Sequence, residues 1–320
     1  MSKKTILLCG ATGFIGRNLL EYYSNHKEYD LHATYFKGAG LKLRAEYPNV
    51  RWIYADLNVP QYVEYVTRDV DIVLQFAATT SGAKDITTKP YIHVTDNAVM
   101  NSLLLRSAYE NGVEHFIFPS CTVMYQPSDD ALKESDFNND DELLSKYFGV
   151  GNTKVYIEKM CEFYSRLGRT KHTVLRHSNI YGPHDKYDLE KSHVFGATVT
   201  KVMTAESEVT MWGTGEEKRD LLHVSDLIAF IDAAIKQQQT PYELYNVGLG
   251  EAVTIDSLVK KIIKASGKEL ELKKDLSQPT IKTSLFLDCE KAKQDFGWEP
   301  KISLDEGIDM TLDWYRENLL

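Results

Sequence analysis

The sequence predicts an α/β fold, a doubly wound parallel sheet with a smaller C-terminal lobe, and three observations carry that reading. The apolar run Ile6–Cys9 passes straight into glycines at 10, 13 and 16, spaced G-x-x-G-x-x-G. Apolar runs and helix-period segments then alternate to about residue 178. From 183 to 222 the alternation stops, and Leu244–Val247 looks like a strand returning to the first sheet.

The first unit is the most informative. Phe14, Ile15, Leu19, Leu20 and Tyr23 fall at helical spacing behind the glycines, so the segment reads strand–turn–helix. This is a Rossmann-type dinucleotide turn: Gly10 for the tight bend, Gly13 for close approach of a pyrophosphate, and Gly16 for helix-on-strand packing. The phosphates would sit at the positive N-terminus of the helix. Leu31–Phe36 reads as the second strand. A carboxylate near its end usually holds the adenosine ribose, but Ala33–Lys37 has none. Arg17 and Lys37 suit a 2′-phosphate instead, which favours NADP over NAD.

Val50–Ala55 is the third strand, leading to Asp56–Leu57, where an adenine could rest. Val70–Phe76 is the fourth, running into the small pair Ala77–Ala78, against which a cofactor can lie. Asn97–Glu110 reads as a helix closed by Asn111–Gly112, and His115–Pro119 as the fifth strand. Residues 126–146 are acidic and read as a solvated loop. A long helix from about Asn152 to Leu167 ends at Gly168, and Val174–Arg176 is the sixth strand. Asn179–Asp185 is a polar turn, interrupted by Pro183. Thr254 is expected to cap a helix through Ser266 with Gly267 closing it, and Ser303 with Glu306 to form a capping box. The expected division is 1–178 plus about 224–250 for the dinucleotide, with 179–223 and 251–320 as the second lobe. Ligands in such sheets bind beyond the carboxyl ends of the strands.

Composition bounds the rest. The chain has 320 residues, 43% of them hydrophobic, which allows a substantial core. Its formal charge of −9 argues against nucleic-acid and membrane-surface roles. Cys9, Cys121, Cys161 and Cys289 are scattered without metal spacing and read as reduced thiols, so no metal is expected and a cytoplasmic location is.

Several motifs resemble one family. Gly10–Gly16, Asp56–Leu57, Ala77–Ala78 and Asn97 are similar to the extended short-chain dehydrogenase/reductases that act on nucleotide sugars, the NAD(P)-dependent epimerase/dehydratases. Asn179–Ile180–Tyr181–Gly182–Pro183–His184–Asp185, Ser192–His193–Val194, Trp212–Gly213–Thr214–Gly215, Arg219–Asp220–Leu221–Leu222–His223–Val224 and the tail Gly297–Trp298–Glu299–Pro300 resemble its GDP-L-fucose synthase branch. The resemblance spans essentially the whole chain. It implies a nucleotide-diphosphate sugar substrate, GDP-linked by preference, and hydride exchange at C4 with a nicotinamide cofactor, in supply of sugars for surface polysaccharides. It also implies a homodimer or larger homo-oligomer.

Site residues follow from the same resemblance. Cofactor contacts fall on Gly10, Thr12, Gly13, Phe14, Ile15 and Gly16, then on Tyr35, Lys37, Asp56, Leu57, Ala77, Ala78 and Lys154. Substrate contacts fall on Thr122, Asn179, His193, Val194, Lys201, Trp212 and Arg219. Arg219 is suited to bidentate phosphate contact, while Lys201 stands where relatives have arginine and offers a point charge. The catalytic pattern is degenerate. The family pairs a tyrosine with a lysine in Y-x-x-x-K, where the lysine lowers the tyrosine pKa for proton exchange. Lys154 is the lysine, but Val150 stands at the tyrosine position. Cys121 occupies the Ser/Thr position, and Val123 that of the epimerising cysteine. Tyr147 and Tyr156 are the nearby tyrosines, neither four residues from Lys154. Lys154, Cys121 and His193 are therefore the candidate catalytic groups, with Cys121 expected to be activated by Lys154. The expected chemistry is 4-dehydrogenase or 4-ketoreductase. A nucleotide-sugar epimerase, and a catalytically silent binding protein, are the alternatives.

Overall fold

A computed structural model describes residues 3–36, 40–80, 89–189, 192–277 and 284–320. In chain order the elements are β1 (Lys4–Cys9), α1 (Phe14–Ser24), β2 (Tyr29–Tyr35), α2 (Gly40–Glu46), β3 (Arg51–Tyr54), α3 (Pro60–Val66), β4 (Ile72–Gln75), α4 (Pro90–Asn111), β5 (His115–Pro119), α5 (Phe148–Ser165) and β6 (Lys171–His177). There follow β7 (Asn179–Tyr181), α6 (Val194–Thr204), β8 (Glu208–Trp212), β9 (Lys218–Arg219), β10 (Leu221–His223), α7 (Val224–Gln237), β11 (Tyr242–Val247), β12 (Val253–Thr254), α8 (Ile255–Ser266), β13 (Glu271–Asp275), α9 (Glu290–Phe296) and α10 (Leu304–Leu319).

Seven strands form one sheet in the order β11-β6-β5-β4-β1-β2-β3, every neighbouring pair parallel. The order reverses beside β1, so the crevice beyond the carboxyl ends of β1 and β4 opens at the glycine turn. Central strands are buried on both faces, which explains the continuous apolar run Ile6–Cys9. One face of the sheet packs Leu19, Leu20 and Tyr23 of α1 and Leu227, Phe230 and Ile231 of α7. The other packs Leu104 and Leu105 of α4 and Ile157 and Cys161 of α5. A separate apolar cluster, with Phe195, Val199, Leu258, Ile262, Ile308 and Leu312 at its centre, holds α6, α8 and α10 together.

Several expectations need correction. The helix expected from Asn97 starts at Pro90, because the β-branched and aromatic residues of its first two turns hide the helical period. The helix expected from Asn152 starts at Phe148. Asn179–Tyr181 is a short strand pairing with Leu221–His223, and the turn begins only at Gly182. The acidic stretch 126–146 is anchored rather than merely solvated: Leu132 and Leu143 are buried, and Asn246 N donates to Glu134 Oε1 at 2.7 Å. Ala292, Phe296 and Trp298, placed with the second lobe from sequence, pack in the core of the large sheet. Trp298 Nε1 donates to Asp226 O at 3.1 Å, which fixes the tail against α7. Thr254 and Gly267 cap α8 as expected, and Ser303 Oγ accepts from Glu306 N at 3.3 Å. All four cysteines are free, and no described helix is long and apolar enough to cross a membrane.

Candidate active site

The glycine turn has the shape a pyrophosphate needs. Gly10 takes φ +80°, and a Cβ there would lie 2.6 Å from Ala77 N. A Cβ on Gly16 would overlap the Gly10 carbonyl oxygen and stand 2.8 Å from its carbon, so α1 rests directly on the end of β1. Gly13 is the N-cap of α1 and no side chain caps that terminus. The first-turn N–H groups, Phe14 and Ile15 among them, lack intrahelical partners and can meet an anion. Thr12 is half-buried in the same turn. These features fit a dinucleotide.

The adenine end departs from expectation. Tyr35 stands at the end of β2, edge-on to Trp52 and Tyr54 with centroids 6.3 and 5.7 Å away. Asp56 Oδ1 accepts from Asn58 N at 3.0 Å. Leu57 is buried in the core and offers no wall to a base. Arg17, expected to await a 2′-phosphate, is held 3.2 Å from Glu46 and 3.8 Å from Glu21. Lys37 lies outside the described residues.

Beyond the carboxyl ends of β4 and β5, a pocket of about 40 Å³ is lined by Ala77, Ala78, Phe118, Pro119, Val150 and Lys154. Lys154 Nζ donates to Pro119 O at 2.7 Å and lies 4.7 Å over the Phe118 ring. Burial draws its pKa down, against the opposing pull of Cys121 and Glu158. Cys121 is the clearest correction. Burial pushes its thiol up despite the Lys154 charge, so the sulfur stays protonated at neutral pH. An apolar setting outweighs one neighbouring cation.

Behind this pocket a buried ion pair fixes the helix bearing Lys154. Arg176 Nη2 donates to Glu158 Oε2 at 2.7 Å and Nε to Oε1 at 3.1 Å. Ser120 Oγ donates to the same Oε1 at 2.5 Å, while Arg176 Nη1 reaches Tyr125 Oη at 3.1 Å. Tyr125 in turn donates to Asn246 Oδ1 at 2.7 Å. The network ties β5, α5, β6 and β11 together where the strands end.

Most of the remaining candidates follow β6 in the chain. His193 is the N-cap of α6, followed by Val194. His193 is exposed, yet surrounding protein and then the Lys186 charge draw its pKa down. Lys186 Nζ donates across the cleft to Thr80 Oγ1 at 2.9 Å. Asn179 Nδ2 donates to Asp220 O at 3.2 Å, and Thr122 is buried with its carbonyl taken by Tyr125 N. Trp212 is exposed, with Lys201 Nζ 5.2 Å over its ring and 3.1 Å from Thr210 O. Arg219 lies within electrostatic reach of Tyr147 and Lys146. His184 Nε2 lies 2.6 Å from Glu21 Oε1, and His223 Nδ1 accepts from Ser225 N at 3.3 Å.

Two groups escaped the sequence reading: Lys186 follows the recognised turn, and His177 ends β6, while Tyr147, noted there as a nearby tyrosine, is the N-cap of α5. Only the strand order, which sets β6 beside β5, brings His177 to Lys154 and His193.

Comparison with known proteins identifies the family. The model of the "NAD dependent epimerase/dehydratase family" matches residues 6–248. GDP-L-colitose synthase of Yersinia pseudotuberculosis is 27% identical over 97% of both chains. GDP-L-fucose synthase of Escherichia coli is 28% identical over 79% of this chain and 83% of its own. Among solved structures, UDP-glucose 4-epimerase of Thermotoga maritima with UDP-glucose superposes with a TM-score of 0.87 at 26% identity, covering 99% of this chain and all of that one. The chain belongs to the NAD-dependent epimerase/dehydratase family.

Proposed function

We propose that this protein is an NAD(P)-dependent oxidoreductase acting on a nucleotide-diphosphate sugar, a GDP-sugar by preference, with hydride exchange at C4. One observation carries the reading. In a chain of charge −9, cations and imidazoles from distant parts of the sequence come within electrostatic reach of one another. Lys186 acts on His193, His193 and Lys154 act on His177, Lys154 adjoins Cys121, and Cys121 and Arg219 flank Tyr147. Such a row suits an anionic substrate laid from the glycine turn toward Trp212.

The dinucleotide would supply the hydride chemistry. Gly10, Gly13, Phe14, Ile15 and Gly16 would hold its pyrophosphate, Tyr35 and Asp56 its adenosine, and Lys154 its nicotinamide ribose. Arg219 and Lys201 would grip the nucleotide diphosphate, with Trp212 against the base. In the NADP form Arg17 would leave Glu46 to meet the 2′-phosphate. Exposed Tyr91 and Val99 on α4 and Phe148, Tyr156 and Phe163 on α5 suit a homodimer built on these helices.

The test is a mass-spectrometric panel of GDP-, UDP- and dTDP-sugars and their 4-keto forms, with either cofactor in both redox states. A single product two mass units from its substrate is expected, and no conversion across the panel refutes the reading. Val150 and Val123, apolar where relatives carry proton-handling groups, favour a silent binding protein as the second reading. Lys154→Ala separates the two, since an enzyme loses turnover and a binder has none to lose.

A further inference from the structure

We propose that His177 is the proton acceptor for the reacting sugar hydroxyl, in the role that the tyrosine of Y-x-x-x-K plays elsewhere in the family. The inference rests on the nucleotide-sugar reading above and assigns the group that reading lacks. His177 is the last residue of β6, and β7 begins two residues later, so it stands where the chain leaves the large sheet for the second lobe. In the β5–β6 register Pro119 is opposite Leu175, and Ser120 N still donates to Leu175 O at 2.7 Å. β5 ends there, while β6 runs on to His177, which pairs with Val247 of β11. The ring is thus at the carboxyl edge of the sheet, within electrostatic reach of Lys154.

Its tautomer is fixed by geometry. His177 Nδ1 lies 2.8 Å from Ser178 O. A carbonyl oxygen can only accept, so Nδ1 carries the hydrogen and Nε2 keeps a lone pair. Ser178 is itself anchored, its N–H donating to Val247 O at 2.9 Å. The ring is therefore held with one nitrogen spent on orientation and the other free to accept. Burial, then the Lys154 and His193 charges, bring its pKa down to about 4, so Nε2 is unprotonated at neutral pH. A diphosphate bound nearby brings negative charge that opposes the Lys154 cation and raises the basicity of the ring. By contrast the Cys121 thiol is already protonated and cannot accept. The Tyr147 phenol is pushed up by burial and likewise keeps its proton.

The step balances as follows. The sugar O–H would break with its proton passing to His177 Nε2, while a bound oxidised nicotinamide would take up the C4 hydrogen with its electron pair as hydride. A C=O bond forms at C4 and the imidazolium holds the proton. Reduction of a 4-keto sugar is the reverse.

His177→Asn and His177→Gln test it. Asparagine retains an amide N–H for Ser178 O and removes Nε2, whereas glutamine sets an amide near the Nε2 position that takes no proton. Histidine ¹⁵N spectra are recorded with NAD⁺, with and without GDP-mannose as the probe, the His177 signals being those lost in His177→Asn. The His177 Nε2 signal is expected in the unprotonated range and to shift when GDP-mannose binds. Both variants are expected to keep probe affinity within about threefold while slowing turnover of the nucleotide sugar that wild type converts by about 10²–10⁴-fold. An Nε2 signal that GDP-mannose leaves unmoved, His177→Gln turnover within about threefold of wild type, or a larger loss in Tyr147→Phe than in either His177 variant overturns the assignment. Wild-type protein that neither binds nor converts any nucleotide sugar overturns the underlying reading instead, and the assignment with it.

Discussion

Replacing the glycines of the first turn one at a time separates folding from cofactor binding. In Gly16→Ala the new Cβ would overlap the Gly10 carbonyl oxygen and lie 2.8 Å from its carbon. Ordinary carbon contacts need about 3.5–4.0 Å, so α1 must retreat by about 1 Å. That helix buries Leu19, Leu20 and Tyr23 against the sheet. A gap of about 0.5–1 Å forfeits a quarter to a half of each contact well. Full burial of each such side chain contributes about 1.5–3 kcal/mol. Three side chains losing that share amount to about 1–4.5 kcal/mol, and Gly16→Ala should lower stability by that much in urea denaturation. Gly13→Ala differs. Its nearest neighbour, Gly10 O, is 3.4 Å away, and the backbone φ of −83° suits any residue. Stability should change by less than about 0.5 kcal/mol. The added methyl does intrude on the anion position at the α1 terminus, so affinity for NADH and NADPH should fall by at least about tenfold in fluorescence titration, about 1.4 kcal/mol. A Gly16→Ala protein with the wild-type urea midpoint, or a Gly13→Ala protein with wild-type cofactor affinity, refutes the reasoning.

Other sites give independent outcomes. Glu158→Ala strands the Arg176 guanidinium in a buried setting and should cost about 3–5 kcal/mol in thermal or urea unfolding, whereas an exposed pair such as Lys4–Glu114 should cost less than about 1 kcal/mol. Asp185 is buried with Oδ2 lacking a partner, and burial raises its pKa from 3.8 to about 7. The folded state therefore holds that proton more tightly than the unfolded chain. The contribution is complete below pH 3.8 and is lost as pH rises through 7; urea midpoints should fall from pH 5 to 8 and Asp185→Asn should flatten that slope. Glu46→Gln releases Arg17 and should raise the ratio of NADPH to NADH affinity, which paired fluorescence titrations measure. Phe163→Glu should yield monomer by sedimentation if the α4–α5 face joins two copies.

Much of the fold was legible because its signals are local. Gly10–Gly16 follows an apolar strand and opens an amphipathic helix, and Thr254, Gly267 and Ser303 mark helix ends within a few residues of themselves. Pro90–Asp96 was missed because its β-branched and aromatic residues do not carry a helical stripe until Asn97, and the packing of α4 on α5 overrides that weak propensity. Trp298 was misplaced because its partner, Asp226, is 72 residues away in the chain. Arg17 was read as an open cation, since nothing near it in sequence announces that α2 brings Glu46 to it.

The chemistry of the site was harder to read for the same physical reason. The Y-x-x-x-K pattern is visible because both groups lie on one helix at i and i+4. Once Val150 replaces the tyrosine, any group that assumes its work must come from another element, and only sheet order and register identify it. His177 is 23 residues from Lys154 and 16 from His193 in sequence, at a spacing that suggests no shared face. The parallel β5–β6 pairing, the return through α5 and the departure of β7 from the large sheet bring the three within electrostatic reach. Burial then decides what each can do. It keeps the Cys121 thiol and the Tyr147 phenol protonated and the His177 imidazole neutral, against what charge proximity alone would suggest for the thiol. A cysteine four residues before Tyr125 therefore looks like a nucleophile in the sequence and behaves as a small, protonated side chain in the fold. The histidine that carried no motif is left as the group with an oriented lone pair.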